Sequence, residues 1–558
     1  MLSDSMMLGG GRKAAYPLEN SLLFRGGQYL SRTPGVVGNL TTWTFSAWVR
    51  RNRVGARQTV FSASVDSRGW DLHSVHFGAD DKLIFAIAVD AGVAGCATAK
   101  VFRDPTAWLH IVAVFDSTNV RSADGMRLYV NGEPMTVSQA VGSSRTWPIA
   151  RNTEGFINRK IGHDIGRTAY LPDYYAALQM TDVYFVDGRA LPPEAFGETD
   201  AFTGSWRPKK VTSLEYGANG FHLGNPWSAT SLGADASGKG NNWTAYNFLA
   251  ADVVKDSPTN VYATLNPLVA KPDSAAVSNG ALGYKESGAI YSGVPATLVL
   301  PSLGIWQAEM TLGQATNSSC AYALGVCREG LDLTAIYRTG FWKISISSGV
   351  LVVDGAQARF NYTNAGNTTA GNTNPGAKDE VFGMVVDMDS GHAWVGRGGV
   401  WYGADGQQNG DPQSGANPTF TIDVSQRLFW FAQASYVTAP AIYNFGQRPF
   451  AYPVARAKGL CTANLPASTG VTSGSFTGNA NADGPCVFTG AVPLTLRVNG
   501  NAVTWGTHAD KLATGFKLRT AATAYNASGT NTWVATYATP QKPTVGPKRR
   551  APANAQAN

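Results

Sequence analysis

The stretch Trp108–Phe115, WLHIVAVF, decides the fold. Read as a strand, it sets Trp108, His110, Val112 and Val114 on one face and Leu109, Ile111, Ala113 and Phe115 on the other. Both faces are largely apolar, so the strand has to be covered on both sides, as inside a β-sandwich. Just beyond it, Met126–Gly132 (MRLYVNG) ends in Asn131-Gly132. These two residues best tolerate positive φ, which favours a tight type I′ hairpin turn. The same punctuation follows GVLVV at Asp354-Gly355 and LTLRV at Asn499-Gly500. One short helical turn is expected at Leu191–Phe196 (LPPEAF), with proline near its start. Long amphipathic helices are absent from the pattern.

Composition points the same way. Charged residues make up 15% of the 558, against about 25% in a typical globular protein, so the surface is polar mainly through Ser, Thr, Asn and Gly. With 62 Gly, 28 Pro, 15 Trp, 21 Tyr and 24 Phe, turns and aromatics abound, and an all-β protein is expected. Gly has no triplet period, which excludes collagen, and the apolar content excludes wholesale disorder. The net charge of +7 is thinly spread. Arg50, Arg51, Arg53 and Arg57 read as a solvated surface, and Lys548, Arg549 and Arg550 as a loose tail. Neither lies in a nucleic-acid-binding motif, and no nucleic-acid partner is expected. No run approaches the ~18 apolar residues of a membrane helix, and the N-terminus lacks the apolar core of a signal peptide. The five cysteines, Cys96, Cys320, Cys327, Cys461 and Cys486, are odd in number and match no metal or redox spacing. Free thiols in a protein made in a reducing cytosol are expected, although Cys320 and Cys327 are spaced for a hairpin bridge.

Along the chain, residues 1–16 read as an arm and 17–255 as a first β unit that ends in the glycine- and asparagine-rich stretch Ala234–Asn242. Residues 256–465 form a second β unit and 466–540 a short third one. Residues 541–558 are proline-rich, basic and without apolar periodicity, as in a disordered tail.

The first unit resembles a laminin-G-like domain of the concanavalin-A-like superfamily. TWTFSAWVRR (Thr42–Arg51), WLHIVAVFD (Trp108–Asp116), RLYVNGE (Arg127–Glu133), KIGHD (Lys160–Asp164) and DVYFV (Asp182–Val186) carry the likeness in order. VDGRALPPEAFGE (Val186–Glu198), GSWRPKK (Gly204–Lys210), YGANGFHL (Tyr216–Leu223), GKGNNWTAYNF (Gly238–Phe248) and DSPTNVYATLNPL (Asp256–Leu268) resemble a block of tailed-bacteriophage virion proteins that follows such a head. Residues 281–466 are similar to a SPRY-type sandwich through GIWQAEMTLG (Gly304–Gly313), YALGVC (Tyr322–Cys327), VFGMVVDMDSGHAWVGRGGVW (Val381–Trp401) and IYNFGQRPFAY (Ile442–Tyr452), with GLCTANLP (Gly459–Pro466) as its exit. FTGNANADGP (Phe476–Pro485), TGFKLRT (Thr514–Thr520) and SGTNTWVATY (Ser528–Tyr537) resemble the small C-terminal β unit of the same proteins. The resemblance implies two large antiparallel sandwiches, a small β unit, and a role in a phage virion as tail fibre or spike. It also implies other virion proteins as partners and a homo-oligomer of three subunits. Met6, Met7 and Leu8, followed by three glycines, could anchor that assembly.

Sandwiches of this class include glycoside hydrolases, which need two carboxylates about 5 Å apart, or somewhat wider for inversion. The ten Glu are scattered, no two lie two positions apart, and Glu194 and Glu198 flank the helical turn. Asp387 and Asp389 are the best alternating pair, but Asp389-Ser390-Gly391 reads as a turn. A depolymerising enzyme is therefore a rival reading, as is a capsid decoration, collar or adaptor protein, and no catalytic residue is expected. His73 and His76 fall on opposite faces of a strand, which disfavours zinc, and His110 reads as a packed core residue. Laminin-G-like domains sometimes hold calcium through loop carboxylates. Asp164, Asp173 and Asp182 are available without a recognisable ligand spacing, and no cofactor is expected. Trp70, Tyr174, Tyr175, Trp401 and Tyr402 are the glycan-binding candidates, with Tyr170 and Trp342 beside them in or near expected turns. A sugar's C–H face packs on such rings while its hydroxyls meet polar neighbours. The competing reading is edge packing within a sandwich or contact with a neighbouring subunit.

Overall fold

The computed structural model describes the chain from Tyr16 to Thr536, except residues 65–71, 90–91, 141–142, 144–145, 170, 172–173, 201–204, 225, 270, 289–290, 316–320, 335–340, 347–349, 353–358, 362–376, 466–470, 489–492, 494 and 513–514. The arm before Tyr16, the tail at 541–558 and the Asp354-Gly355 turn lie outside the described residues. The fold is all-β.

Trp108–Asp116 is a strand held between Thr42–Arg51 and Met126–Val130. Ala177–Asp187, Ser21–Arg25 and Val253–Val254 extend this antiparallel sheet. The facing sheet runs Val137–Gln139, Gly92–Val101, Lys82–Val89, Leu72–Phe77, Gln58–Ser64, His163–Ile165, Tyr29–Arg32 and Thr244–Tyr246. Leu109, Ile111, Ala113 and Phe115 enter the core between the sheets, beside Trp43, Phe45, Phe61 and Phe85. The other face of the strand is sealed by the chain that follows the sandwich. Val112 and Val114 pack with Tyr184, Phe196 and Leu214, and Trp108 packs with Trp48, Leu18, Trp206 and Val261. This double cover is why both faces of WLHIVAVF are apolar. Asn131 and Gly132 form the expected turn, with φ of 52° and 81°. Gly132 is required twice, since a Cβ there would also lie 2.5 Å from the Trp206 ring. The helical turn appears as a 3-10 turn at Pro193–Ala195.

The second sandwich pairs one sheet of Ala275–Ser278, Gly283–Glu286, Ala441–Asn444, Ile305–Thr311, Val381–Asp387, His392–Arg397 and Val400–Trp401 with another of Ser292–Val299, Leu428–Ser435, Ala321–Arg328, Phe341–Ile346, Val350–Val352 and Arg359–Asn361. Its buried tyrosines have their hydroxyls satisfied across the core: Tyr443 donates to the Ala323 carbonyl at 2.9 Å and Tyr284 meets Ser292 Oγ at 2.6 Å. Both sandwiches belong to one compact unit that ends at Cys461, and a second unit comprises Asp200–Ser205 and the chain from Thr462. The second unit has a four-stranded and a three-stranded sheet around Leu496, Val498, Phe516 and Trp533. Its hairpin turn carries Asn499 and Gly500 at φ 49° and 80°. Cys96, Cys327 and Cys461 are buried free thiols, Cys486 is an exposed one, and Cys320 lies outside the described residues.

The arginine cluster corrects the sequence reading. Arg53 and Arg57 are exposed, but Arg50 and Arg51 are 0% and 1% exposed. Arg51 pairs with Asp81 at 2.9 Å. Arg50 lies where the chain passes from the first sandwich to the second. Its guanidinium pairs with Asp256, whose side chain is also fully buried, and donates to Pro105 O at 2.8 Å and Thr264 Oγ1 at 3.0 Å. Asp256 in turn accepts from Tyr262 N at 3.2 Å and Trp108 Nε1 at 3.4 Å. Burial pushes the Asp256 carboxyl up, and the Arg50 guanidinium pulls against that. A charge buried alone costs several kcal/mol, so breaking one side of such a pair is more damaging than removing both. Arg50→Ala is expected to destabilise the protein by about 3–5 kcal/mol. Arg50→Met combined with Asp256→Leu should cost clearly less. Urea unfolding of the full chain, followed by tryptophan fluorescence, distinguishes the two. Equal losses would show that the pair is not the cause.

Candidate functional site

The face of the second sheet turned away from the core carries a group of aromatic side chains that includes the exposed Tyr246. In Tyr29–Arg32, Leu30 enters the core, so Tyr29 and Ser31 point outward. The edge strand Thr244–Tyr246 pairs with it so that Tyr246 lies directly opposite Tyr29. Directly opposed side chains share one face, and these two rings stack at 4.6 Å with 9° between their planes. The Arg167 guanidinium covers Tyr29 from the other side, 3.4 Å from the ring centre. The result is a three-layer stack of Arg167, Tyr29 and Tyr246, with Tyr246 outermost at 41% exposure.

Gly166 makes this possible. Its φ is 91°, and a Cβ there would sit 2.4 Å from the Phe24 ring, so the chain can turn from the strand His163–Ile165 back over the sheet only through glycine. The returning loop closes where Ala176 N bonds to Gly166 O at 2.8 Å, and it is fastened by Thr168 Oγ1 to Thr59 Oγ1 at 2.8 Å. Tyr174 and Tyr175 ride on this loop. Tyr175 meets the edge of Tyr29 at 6.2 Å. Tyr174 lies 5.8 Å from His76 and carries the Arg57 guanidinium 5.2 Å above its ring. Asp164 holds Arg167 at 3.0 Å. Burial raises the Asp164 carboxyl and Arg167 opposes this. Burial also raises the Tyr29 hydroxyl, and it lowers His76 to about 4, with Arg57 adding to the effect. At neutral pH the face thus presents tyrosine rings, hydroxyls and a neutral imidazole.

Two of the five sequence candidates, Tyr174 and Tyr175, come together here. Trp70 lies outside the described residues, as do Tyr170 and Asp173. Trp401 and Tyr402 are in the second sandwich. The Trp401 ring lies flat on Gly383 and Gly396, where a Cβ would be 3.0 and 2.9 Å from it, and it joins a cluster with Trp394 and Val385. Trp401 is half-buried on this bed, and Tyr402 is buried, which raises its hydroxyl pKa. Sequence reasoning did not find Tyr29, Tyr246 or Arg167. The signal for Tyr29 is the alternation of residues 29–31, but its partner is 217 positions away and no local pattern joins them. The second sandwich also holds a cavity of about 430 Å³ floored by Pro295, Phe429 and Leu331.

Several other buried acidic side chains are engaged in local hydrogen bonds. Asp187 accepts from Asn39 N at 2.8 Å and Asn219 N at 3.1 Å. Glu309 accepts from Ala451 N and Tyr452 N, both at 2.8 Å. Asp182, at φ 53° in a strand bulge, accepts from His222 at 2.9 Å. Asp387 accepts from Asp389 N at 3.0 Å and Ser390 N at 3.2 Å, so the expected turn is there and Asp387 closes it. Among the described residues no three His, Cys, Asp or Glu side chains converge on a point that could hold a metal. No helix among them is long and apolar enough to cross a membrane.

A family model described as the concanavalin A-like lectin/glucanases superfamily, of laminin G type, matches residues 24–188. The first sandwich is a laminin G-like domain. No curated protein matches the chain. Among solved structures, a proposed carbohydrate-binding protein of Bacteroides ovatus is similar at 17% identity and TM-score 0.29, over 42% of this chain and 59% of that one. The SPRY domain of human HERC1 is similar at 16% identity and TM-score 0.23, over 32% and 94%. Mouse laminin α1 domains LG4-5 are similar at 9% and 0.26, over 83% and 92%. The chain thus spans under two thirds of the Bacteroides protein's length.

The laminin G-like sandwich also buries four neutral histidines. His110 is stacked on Trp48 at 4.9 Å; its Nδ1 accepts from Trp206 Nε1 at 2.9 Å, so its Nε2–H faces Ser46 Oγ at 2.8 Å. It is a packed, hydrogen-bonded core residue, as its sequence context suggested. His73 turns inward against Trp43 and Phe115, on the face opposite His76, and neither of its nitrogens has a hydrogen-bond partner among the described residues. Burial lowers His73 and His110 from 6.5 to about 3 and His163 and His76 to about 4. Between pH 6.5 and about 4 the unfolded chain therefore binds protons that the folded chain does not. Stability should fall as pH falls through that window, by ~1.4 kcal/mol per pH unit for each histidine fully titrating when unfolded. His73→Phe removes an unpaired polar ring and should be neutral to stabilising by up to about 2 kcal/mol at pH 7. It should also make the decline shallower by about one proton. Urea unfolding of the variant and parent from pH 7 to 4 tests both points.

Proposed function

We propose that this protein is a structural component of a bacteriophage virion appendage, a tail fibre or spike, that holds a glycan of the host cell surface on its laminin G-like sandwich. The virion assignment rests on the resemblance of the blocks at 186–268 and 476–537 to phage virion proteins. The binding assignment is carried by one observation: the Tyr246 ring lies open to solvent, stacked on Tyr29 and backed by Arg167. A ring already fixed in place loses little entropy when a sugar packs on it. The family description of lectins and glucanases is in keeping with a sugar on a sandwich face. The activity is binding without bond cleavage, needs no cofactor, and is made firm by avidity in a trimer joined to other virion proteins.

Two measurements test the reading. Immunogold labelling of intact particles should place the chain on a tail or surface appendage; labelling spread evenly over the capsid would favour a decoration protein. The purified full chain should bind host surface polysaccharide without releasing reducing ends. Tyr246→Ala should weaken that binding about 3–10-fold, as expected for losing one aromatic stacking surface. Binding that is absent, or indifferent to Tyr246→Ala, would contradict the site.

A further inference from the structure

The cavity in the second sandwich has a construction of its own. Cys327 lies directly opposite Phe429 in the strand pairing, and Pro295 opposite Phe431, so the four side chains share one face of their sheet. The loop that follows Arg328 folds over this face. Leu331 and Leu333 pack against Cys327, Phe429 and Phe431, and Gln433 Nε2 donates to Leu333 O at 2.9 Å. Gly293 lets the loop settle this low, since a Cβ there would lie 2.6 Å from Ala432 O and 3.2 Å from Leu333 Cβ. Asn266, Val269 and Thr297 complete the wall, and about 430 Å³ stays open between them and the loop. That is within the range of small-molecule sites, about 300–1,000 Å³.

The half-buried polar groups on the wall have their acceptor sides occupied by the protein. Asn266 Oδ1 accepts from Leu268 N at 3.1 Å, which fixes the amide so that its NH2 is the end left for a ligand. Thr297 Oγ1 accepts from Thr264 N at 3.0 Å, which leaves its hydroxyl proton to donate. The charged side chains stand at the exposed mouth: Arg328, Glu329 paired with Arg427 at 3.0 Å, and Asp332 accepting from Thr334 N at 3.0 Å. The interior thus sets two uncharged donors beside an apolar floor. An acetamido group matches it, because it carries a carbonyl oxygen and a methyl side by side on one plane. A sugar with only hydroxyls leaves the floor unfilled, and a carboxylate would lose its water to uncharged donors.

We propose that the second sandwich binds a 2-acetamido sugar in this cavity, with the acetyl methyl on Phe429, Leu331 and Pro295 and the acetyl oxygen held by Asn266 Nδ2 and Thr297 Oγ1. The site is separate from Tyr246. The choice of a sugar to carry the acetamido group rests on the glycan reading above.

The test is saturation-transfer NMR and titration of the full chain with chitotriose and cellotriose, which differ in acetamido against hydroxyl at C2, and with N-acetyl-lysine methylamide, which carries the same group without a sugar. Chitotriose should bind about tenfold tighter than cellotriose, the increment of one hydrogen bond and one buried methyl, and its acetyl methyl should receive the most saturation. Asn266→Asp keeps the acceptor for Leu268 N and removes the NH2. It should weaken chitotriose about tenfold and leave cellotriose within about twofold. Val269→Trp, at the exposed mouth, should block chitotriose. The thermal transition of each variant checks its folding. Equal binding of the two trisaccharides, or chitotriose binding indifferent to both substitutions, overturns the site. N-acetyl-lysine methylamide binding as tightly as chitotriose overturns the sugar. If no acetamido compound binds at millimolar concentration while host polysaccharide still binds through Tyr246, this inference alone falls; if neither binds, the glycan reading falls with it.

Discussion

The buried pair of Arg50 and Asp256 is the constraint on which the larger unit depends. Arg50 belongs to the central strand of the first sandwich and Asp256 to the segment that leaves it. Around them backbone bonds tie the crossing segment to the second sandwich: Lys255 N donates to Gln447 O at 3.0 Å, Ala263 N to Leu460 O at 2.9 Å, and Thr297 N to Thr264 O at 2.7 Å. Gly280 packs so closely on Leu23 that a Cβ would lie 2.4 Å from it. Two charges removed from water give little net stability over an apolar pair. What they add is direction: the guanidinium accepts only partners placed in its plane, so residues 256–264 have one way to cross the joint. We take the joint to make the two sandwiches a single body rather than two beads on a linker.

That rigidity bears on binding. A sheet buried on both faces cannot serve a ligand, and the first sheet is in that state because the segment after the sandwich covers it. The exposed work falls to the facing sheet. Its tyrosines are held by cross-strand pairing, by the glycine-permitted turn at Gly166 and by an arginine already matched with Asp164, so little ordering remains to be done when a ligand arrives. Such preorganisation suits weak single sites repeated in an oligomer, where each must engage without first rearranging.

Much of the fold was legible because it follows from period and turn chemistry. WLHIVAVF showed its double cover, and Asn131-Gly132 and Asn499-Gly500 showed their turns, since both are local properties. His110 and Asp387 were also readable, one from its apolar neighbours and the other from the turn after it. The arginines were not. Arg50 and Arg51 look like surface beside Arg53 and Arg57, and only partners far along the chain, Asp256 and Asp81, make burial possible. The tyrosine stack was hidden for the same reason, because strand pairing between residues 29 and 246 leaves no mark in either segment. For Trp401 the sequence shows an aromatic at a strand end, and the bed of Gly383 and Gly396 beneath it is visible only in the structure.

Native-state hydrogen exchange across the joint tests this account most directly. The amides of Lys255, Tyr262 and Ala263 lie in irregular chain, where exchange is ordinarily fast. If Arg50 and Asp256 weld the two sandwiches, these amides should be protected to the same degree as those of Thr42–Arg51 and Leu428–Ser435, and should open only with global unfolding. Exchange at the rate of an exposed loop, with both sets of strands still protected, would show two sandwiches that move independently and would contradict it.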